Sequence, residues 1–276
     1  MSFRDRGIEI KTPEQIIKMR AAGLVVGETL DLLRRTAKAG MTTADLDAVA
    51  EDNIRSSGAT PSFKGYGYPP FPGSICASVN DEIVHGIPGD RVLADGDIIS
   101  IDCGAIVDGW HGDAAITIAI GEVPAEARDL MRVTEEGMWR GFAAARLGGR
   151  VTDISHAIES YVRSQGGYGV LEDYVGHGIG SAMHQPPNVP NYGRPGRGPK
   201  LVQGLALAVE PMVVVGDQAS KVLDDEWTVS TADGSLAAHF EHTFTLTPNG
   251  AWILTAIDGG EAKLAELGVP FGPLAA

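Results

Sequence analysis

The sequence predicts an α+β domain in which helix pairs alternate with antiparallel hairpins. Four segments space their apolar residues as helices do, five others are short β-branched runs bounded by turn residues, and the helix pairs resemble each other at a fixed offset.

The elements follow in order. Thr12-Pro13-Glu14-Gln15 is a capping box with Pro at the first helical position, and Ile16, Met19, Val26, Leu30 and Leu33 supply an apolar face, so a first helix should end near Gly40. A second is expected over 44–57, stopping at Gly58, and two more over about 125–147 and 152–165. Strands are expected over 74–80, 97–107, 110–120, 205–215 and 239–247, each rich in Ile, Val, Thr or Phe. The Gly/Pro-rich stretch 185–200 reads as a surface loop. No linker separates two domains, so residues 1–276 read as a single domain.

Sliding the chain by 108 positions aligns Ala37, Gly40, Asp45, Glu51, Arg55, Ser56 and Gly58 with Ala145, Gly148, Asp153, Glu159, Arg163, Ser164 and Gly166. Shared capping chemistry is one source of such matches and an internal duplication is the other. A duplication implies two similar halves closing on one site.

Bulk properties exclude several functions. A formal charge of −14 repels DNA and anionic lipid at long range. The start of the chain carries charges where a signal peptide needs an apolar region, and no run of about 18 apolar residues occurs, so the expected location is the cytoplasm, with no membrane span. The only cysteines are Cys76 and Cys103, which leaves no disulfide framework and no CxxC zinc pattern. Any metal must therefore be held by carboxylates and histidines.

The segment 98–118 holds two strand patterns joined by Asp108-Gly109, the strongest short hairpin signal. A two-residue turn there pairs position 102 with 115 and 104 with 113. Asp102 and Asp113 then become diagonal neighbours on one face, with Cβ atoms within roughly 7 Å. Two carboxylates so placed repel, and burying either among Ile and Val is tolerated only with pairing or a metal. The alternative is a hairpin with a solvated polar face. Glu210 in Leu-Ala-Val-Glu-Pro-Met and Glu241 in His-Phe-Glu-His-Thr are two further carboxylates inside apolar strands, and His177 is flanked by glycines that leave its ring open. One nitrogen and four carboxylates suit two divalent ions such as Mn, Fe, Co or Zn. A zinc protease of the HExxH type is excluded because the motif is absent.

HGIP at 85–88, DGDIISIDCG at 95–104, HGD at 111–113, GHGIG at 176–180, VEPM at 209–212 and FEHT at 240–243 together resemble the type I methionine aminopeptidases, over nearly the whole chain and in order. The resemblance implies the pita-bread fold, whose two related halves surround an antiparallel sheet. It also implies removal of the initiator methionine from nascent polypeptide N-termini when the second residue is small. Asp102 would hold one ion, Asp113 and Glu241 would bridge two, and His177 and Glu210 would complete the second. Glu210 either doubles as proton acceptor or serves as ligand alone. His184 would stabilise the tetrahedral intermediate and His85 would contact the scissile amide nitrogen. Tyr68, Phe71, Cys76, His85, Met183 and Trp227 would line the methionine pocket. Each aromatic is open to a plain packing role, and Cys76 reads as a wall because metal and carboxylates fill the catalytic roles.

Gln185-Pro186 stands where many relatives carry acidic residues and Met183 where Phe is common, so pocket shape should differ in detail. A short bacterial form, acting as a monomer, is the expectation. Arg194, Arg197 and Lys200 form a basic patch in an acidic chain; a solvated loop is the favoured reading and a transient ribosome contact the other. Two rivals use the same scaffold. A proline-specific peptidase normally carries a large preceding domain, for which residues 1–12 leave no room, and a noncatalytic binding protein typically loses ligands that are all present here.

Overall fold

Helix α1 (Pro13–Thr36) starts where capping chemistry requires. Thr12 Oγ1 accepts from the Gln15 N–H at 3.3 Å while Gln15 Oε1 accepts from the Thr12 N–H at 2.8 Å. Helix α2 (Thr43–Ser56) opens with the same box between Thr42 and Asp45. Helices α3 (Ala125–Ala144) and α4 (Val151–Gln165) follow, and Asp153 accepts the Arg150 N–H as Asp45 accepts that of Thr42. This is a computed structural model, and it describes residues 7–275; the charged start, residues 1–6, lies outside the described residues.

The 108-residue offset holds in three dimensions. Gly40 N–H donates to the Leu93 carbonyl and Gly148 N–H to that of Leu201, both at 2.8 Å. Thr42 bridges Val92, and Arg150 bridges Lys200. Arg55 Nε donates to Glu51 and Arg163 Nε to Glu159, each at 2.8 Å. Every pair is displaced by the same number of positions. Because Leu93 and Leu201 lie outside the helices, capping chemistry alone does not account for the match.

The strands that build the site are β1 (Ile75–Val79), β2 (Ile98–Val107), β3 (Trp110–Ala119), β4 (Gly176–Gly178), β5 (Gln185–Val189), β6 (Ala206–Val209), β7 (Met212–Val214), β8 (Ala237–His239) and β9 (Glu241–Thr247). One nine-stranded antiparallel sheet contains β2, β3, β9, β6, β4 and β5 in that spatial order, with β1 on the outer side of β2. Ile99, Ile101 and Cys103 of β2 join Ala114, Ile116 and Ile118 of β3 in a core shared with Leu30 of α1 and Phe142 of α3. Alternation then turns Asp102, Asp113 and Ala115 to the opposite face.

Two expected strands are broken. The run 205–215 stops at Val209 and resumes at Met212, because Pro211 has no N–H for the ladder, and 239–247 is interrupted at Phe240. Beyond the breaks β7 pairs with β8 in a separate three-stranded sheet. The expected loop 185–200 is also partly corrected. Gln185–Val189 is an edge strand against β4, and Asn191 is fully buried, while Arg194, Arg197 and Lys200 are exposed.

Candidate metal centre and substrate cavity

The hairpin register is the one the Asp-Gly turn dictates, Asp102 opposite Ala115 and Gly104 opposite Asp113. Register then assembles the site in two adjacent rows. In the first, Cys76 faces Asp102, Asp102 faces Ala115, and Ala115 faces Glu241 on its other side. In the second, Asp113 meets Thr243, whose Oγ1 accepts the Asp113 N–H at 3.2 Å and donates to the Asp113 carbonyl at 2.8 Å; Thr243 faces Ala208, and Ala208 faces His177. Glu210 follows Val209, which pairs with His242, so the Glu210 carboxylate comes up beside Glu241 at the strand break. Asn191 Nδ2 takes the Glu210 carbonyl at 3.1 Å, which the ladder no longer uses.

His177 reaches the cavity because its neighbours have no side chains. A Cβ at Gly178 would overlap the Pro186 carbonyl oxygen, and one at Gly176 the carbonyl oxygen of Ala208. His177 Nε2 lies 3.3 Å from Glu210 Oε1 and 4.0 Å from Asp113 Oδ2. Asp113, His177 and Glu241 offer ligand atoms all within 4.8 Å of one another, and so do Glu210, His239 and Glu241.

These groups line one cavity of about 470 Å³ whose lining residues include no Lys or Arg. The electrostatic consequence is large. Burial pushes Asp102 up to about 7. Burial, then the charges of Glu241 and Asp102, holds Asp113 well above the carboxylate range, and burial with neighbouring carboxylates does the same for Glu210 and Glu241. Burial, reinforced by His184, lowers His177 to about 3, leaving a neutral nitrogen donor. Asp102 Oδ1, Asp113 Oδ1 and Glu241 Oε1 are buried without a hydrogen-bond partner. Mutually repelling, unpartnered oxygens beside one neutral imidazole fit divalent cations, whose charge would offset the burial and the repulsion that raise these pKa values.

The opposite wall is apolar. Phe63, Phe71, Cys76 and Met183 form a buried cluster, with Ile87 and Trp227 packed against it. Phe71 meets Trp227 edge to face at 5.2 Å between centroids. His85 sits in the left-handed region at φ 61°, a conformation tolerated where surrounding structure enforces it, and its ring stands against Trp227 and Tyr174. Burial lowers its pKa to about 4.

Every sequence-selected residue except one lines this cavity. Tyr68 is the correction, since it is 97% exposed and Tyr66 takes the wall in its place. Gly67 turns the chain at φ +73°, against the Trp227 ring, and the two tyrosines diverge. Tyr66, Phe63, Tyr174 and His239 escaped the sequence reading as site residues. His239 carried a usable signal, because it alternates with Glu241 along the strand pattern.

Fold and site together define a metal-dependent hydrolase of the pita-bread architecture. The profile of metallopeptidase family M24 matches residues 17–248. The methionine aminopeptidase of Clostridium acetobutylicum is 59% identical over 249 residues, covering 90% of this chain and 98% of the relative. Methionine aminopeptidase 1 of Bacillus subtilis is 49% identical over 247 residues, 90% of this chain and 98% of its own. The crystal structure of a methionine aminopeptidase from Thermotoga maritima superposes with a TM-score of 0.87 at 43% identity, over 90% of this chain and 99% of that one. The chain belongs to metallopeptidase family M24 and, within it, to the methionine aminopeptidases. Among the described residues no helix is long and apolar enough to cross a membrane.

Proposed function

We propose that this protein removes the initiator methionine from nascent polypeptides in the cytoplasm when the second residue is small, acting as a monomer. The observation that carries the reading is one cavity with two unlike sets of lining residues, the buried Asp113, Glu241 and His177 with the half-buried Asp102 and Glu210 on one hand, and Phe71, Cys76, Met183 and Trp227 on the other.

Asp102, Asp113, His177, Glu210 and Glu241 would hold two divalent ions drawn from Co, Mn, Fe or Zn. Bound there, the ions would lower the pKa of a water and polarise the scissile carbonyl. The chain's own groups do the rest. Asp102, across from Cys76 in the sheet, receives the free α-amino group. The apolar wall seats the methionine thioether against aromatic rings, a favourable contact. Glu210 takes a proton from the attacking water. His184, held by Tyr66, donates to the carbonyl oxygen as it gains charge, and His85 meets the amide nitrogen of the leaving chain.

A slot of this kind discriminates by roughly 1 to 3 kcal/mol for each methylene-sized mismatch. The test is a peptide series Met-X-Ser, with X running from Gly to Leu to Lys, alongside Leu-Ala-Ser. Fast cleavage only of Met peptides with small X is expected. Comparable rates for Met-Lys-Ser or Leu-Ala-Ser would leave the metal centre standing and sink the initiator-methionine assignment. A ribosome contact through Arg194, Arg197 and Lys200 would appear as salt-sensitive co-sedimentation, lost on reversing those charges.

A further inference from the structure

His239 belongs to none of the roles above, yet it is the least exposed polar residue lining the cavity. It is 1% exposed, it lines the cavity, and its Nε2 has no hydrogen-bond partner. A buried nitrogen without a partner costs on the order of 1–3 kcal/mol, so its placement calls for a reason.

Two relationships supply one. The first is the division of the Glu210 carboxylate, whose Oε1 lies 3.3 Å from His177 Nε2 and whose Oε2 lies 3.7 Å from His239 Nε2. One oxygen faces His177 and the other faces His239, whose Nε2 also stands 4.0 Å from Glu241 Oε2. The second is the anchoring of His239 itself. Its N–H donates to Thr117 Oγ1 at 2.9 Å, and the same hydroxyl donates to its carbonyl at 2.8 Å. The main chain is thereby pinned to β3, and the ring alone is left to adjust.

We infer that His239 is a positioning residue for Glu210, donating its Nε2–H to the outer carboxylate oxygen so that the inner oxygen is presented to the cation. A neutral imidazole has a single N–H, and placing it on Nε2 points a donor, rather than a lone pair, at Glu210 and at Glu241, whose Oε2 is 4.0 Å away. The 3.7 Å separation exceeds an ordinary N–H···O bond by about 0.5 to 1 Å, a gap that side-chain rotation closes. Groups that orient a ligating carboxylate in this way typically contribute 10- to 100-fold in metal affinity.

The inference rests on the metal-centre reading, and the test separates the two. Wild type, His239→Gln and His239→Asn are stripped with chelator and titrated with Co(II), following heat by calorimetry and the visible absorption of the bound ion. Glutamine places an amide N–H where Nε2 stands, whereas asparagine ends about one bond short. The expected result is wild-type affinity within about threefold and an unchanged spectrum for His239→Gln, with affinity weakened about 10- to 100-fold for His239→Asn. His239→Asn binding as tightly as wild type overturns the positioning role. If both variants bind weakly and their spectra change alike, His239 is itself a ligand and the donor role fails. A wild-type chain that takes up no Co(II) overturns both the inference and the metal centre beneath it.

Discussion

The hydroxyl of Tyr66 lies 2.7 Å from Nδ1 of His184. If the phenol donates, Nδ1 is the acceptor and the imidazole proton resides on Nε2, the tautomer in which His184 can donate to a substrate oxygen. Tyr66→Phe removes that control and leaves the ring in place. We expect kcat for Met-Ala-Ser to fall about tenfold, equivalent to roughly 1.4 kcal/mol, with KM within about twofold. An unchanged kcat would show that the hydroxyl has no part in setting His184.

Asp113→Asn keeps size and shape and removes a charge that stands within reach of both His177 and Glu241. Activity should fall by two orders of magnitude or more, because a neutral amide is a poor bridge between cations. The chelated variant should melt no lower than chelated wild type, since one of four mutually repelling acids has gone. Retention of more than about half the wild-type rate would remove Asp113 from the bridging role.

How the carboxylates meet was legible in the sequence wherever a local turn fixes register. Asp108-Gly109 sets the pairing of β2 with β3, and alternation does the rest. Where non-local packing decides, it was not. Glu210-Pro211 and Phe240 interrupt strands whose hydrophobic pattern runs on unbroken, because each chain leaves one sheet for another there. The edge strand Gln185–Val189 was hidden by its prolines, which an edge position accommodates. Tyr66 and Tyr68 were indistinguishable by composition, and only the turn at Gly67 decides which faces the cavity.

Gly178→Ala tests the close approach that exposes His177. The added Cβ would overlap backbone, the Pro186 carbonyl, which has no flexible way to yield. A cost of about 2 to 4 kcal/mol in unfolding free energy is expected, together with loss of metal uptake. Calorimetric Co(II) binding like that of wild type would mean that β4 shifts without displacing His177.

The loop bearing Met183 and His184 is tied to the start of the described chain. Glu9 accepts from the Ser181 hydroxyl at 2.6 Å and from its N–H at 3.0 Å. Burial raises the Glu9 pKa, but the Ser181 and Gln185 hydrogen bonds and the Lys11 charge outweigh it and bring the value down from 4.5 to about 2. A depressed folded-state pKa stabilises above the unfolded value and is lost as pH falls through the folded one. The stability difference between wild type and Glu9→Gln should therefore be full above about pH 4.5 and shrink toward pH 2, read by urea unfolding. A difference independent of pH would mean that packing, not charge, ties the loop.

Cys76 stands directly across from Asp102, within the apolar cluster of Phe63, Phe71 and Met183, where a thiol could be read as a nucleophile. The electrostatics argue the other way. Burial pushes its pKa well above 9, and the charges of Asp102, Asp113 and Glu241 push it further, so the thiolate needed for attack is disfavoured at neutral pH. Cys76→Ala should then keep kcat within about threefold and lose selectivity instead, because removing sulfur enlarges a slot also walled by Phe71 and Met183. The expected signature is a raised KM for Met-Ala-Ser and a relative gain for substrates with bulkier first side chains. Iodoacetamide at pH 7.5 should react slowly with the wild type, and bound methionine should slow it further. A fall in kcat of two orders of magnitude or more in Cys76→Ala, without loss of bound metal, would return Cys76 to the chemistry.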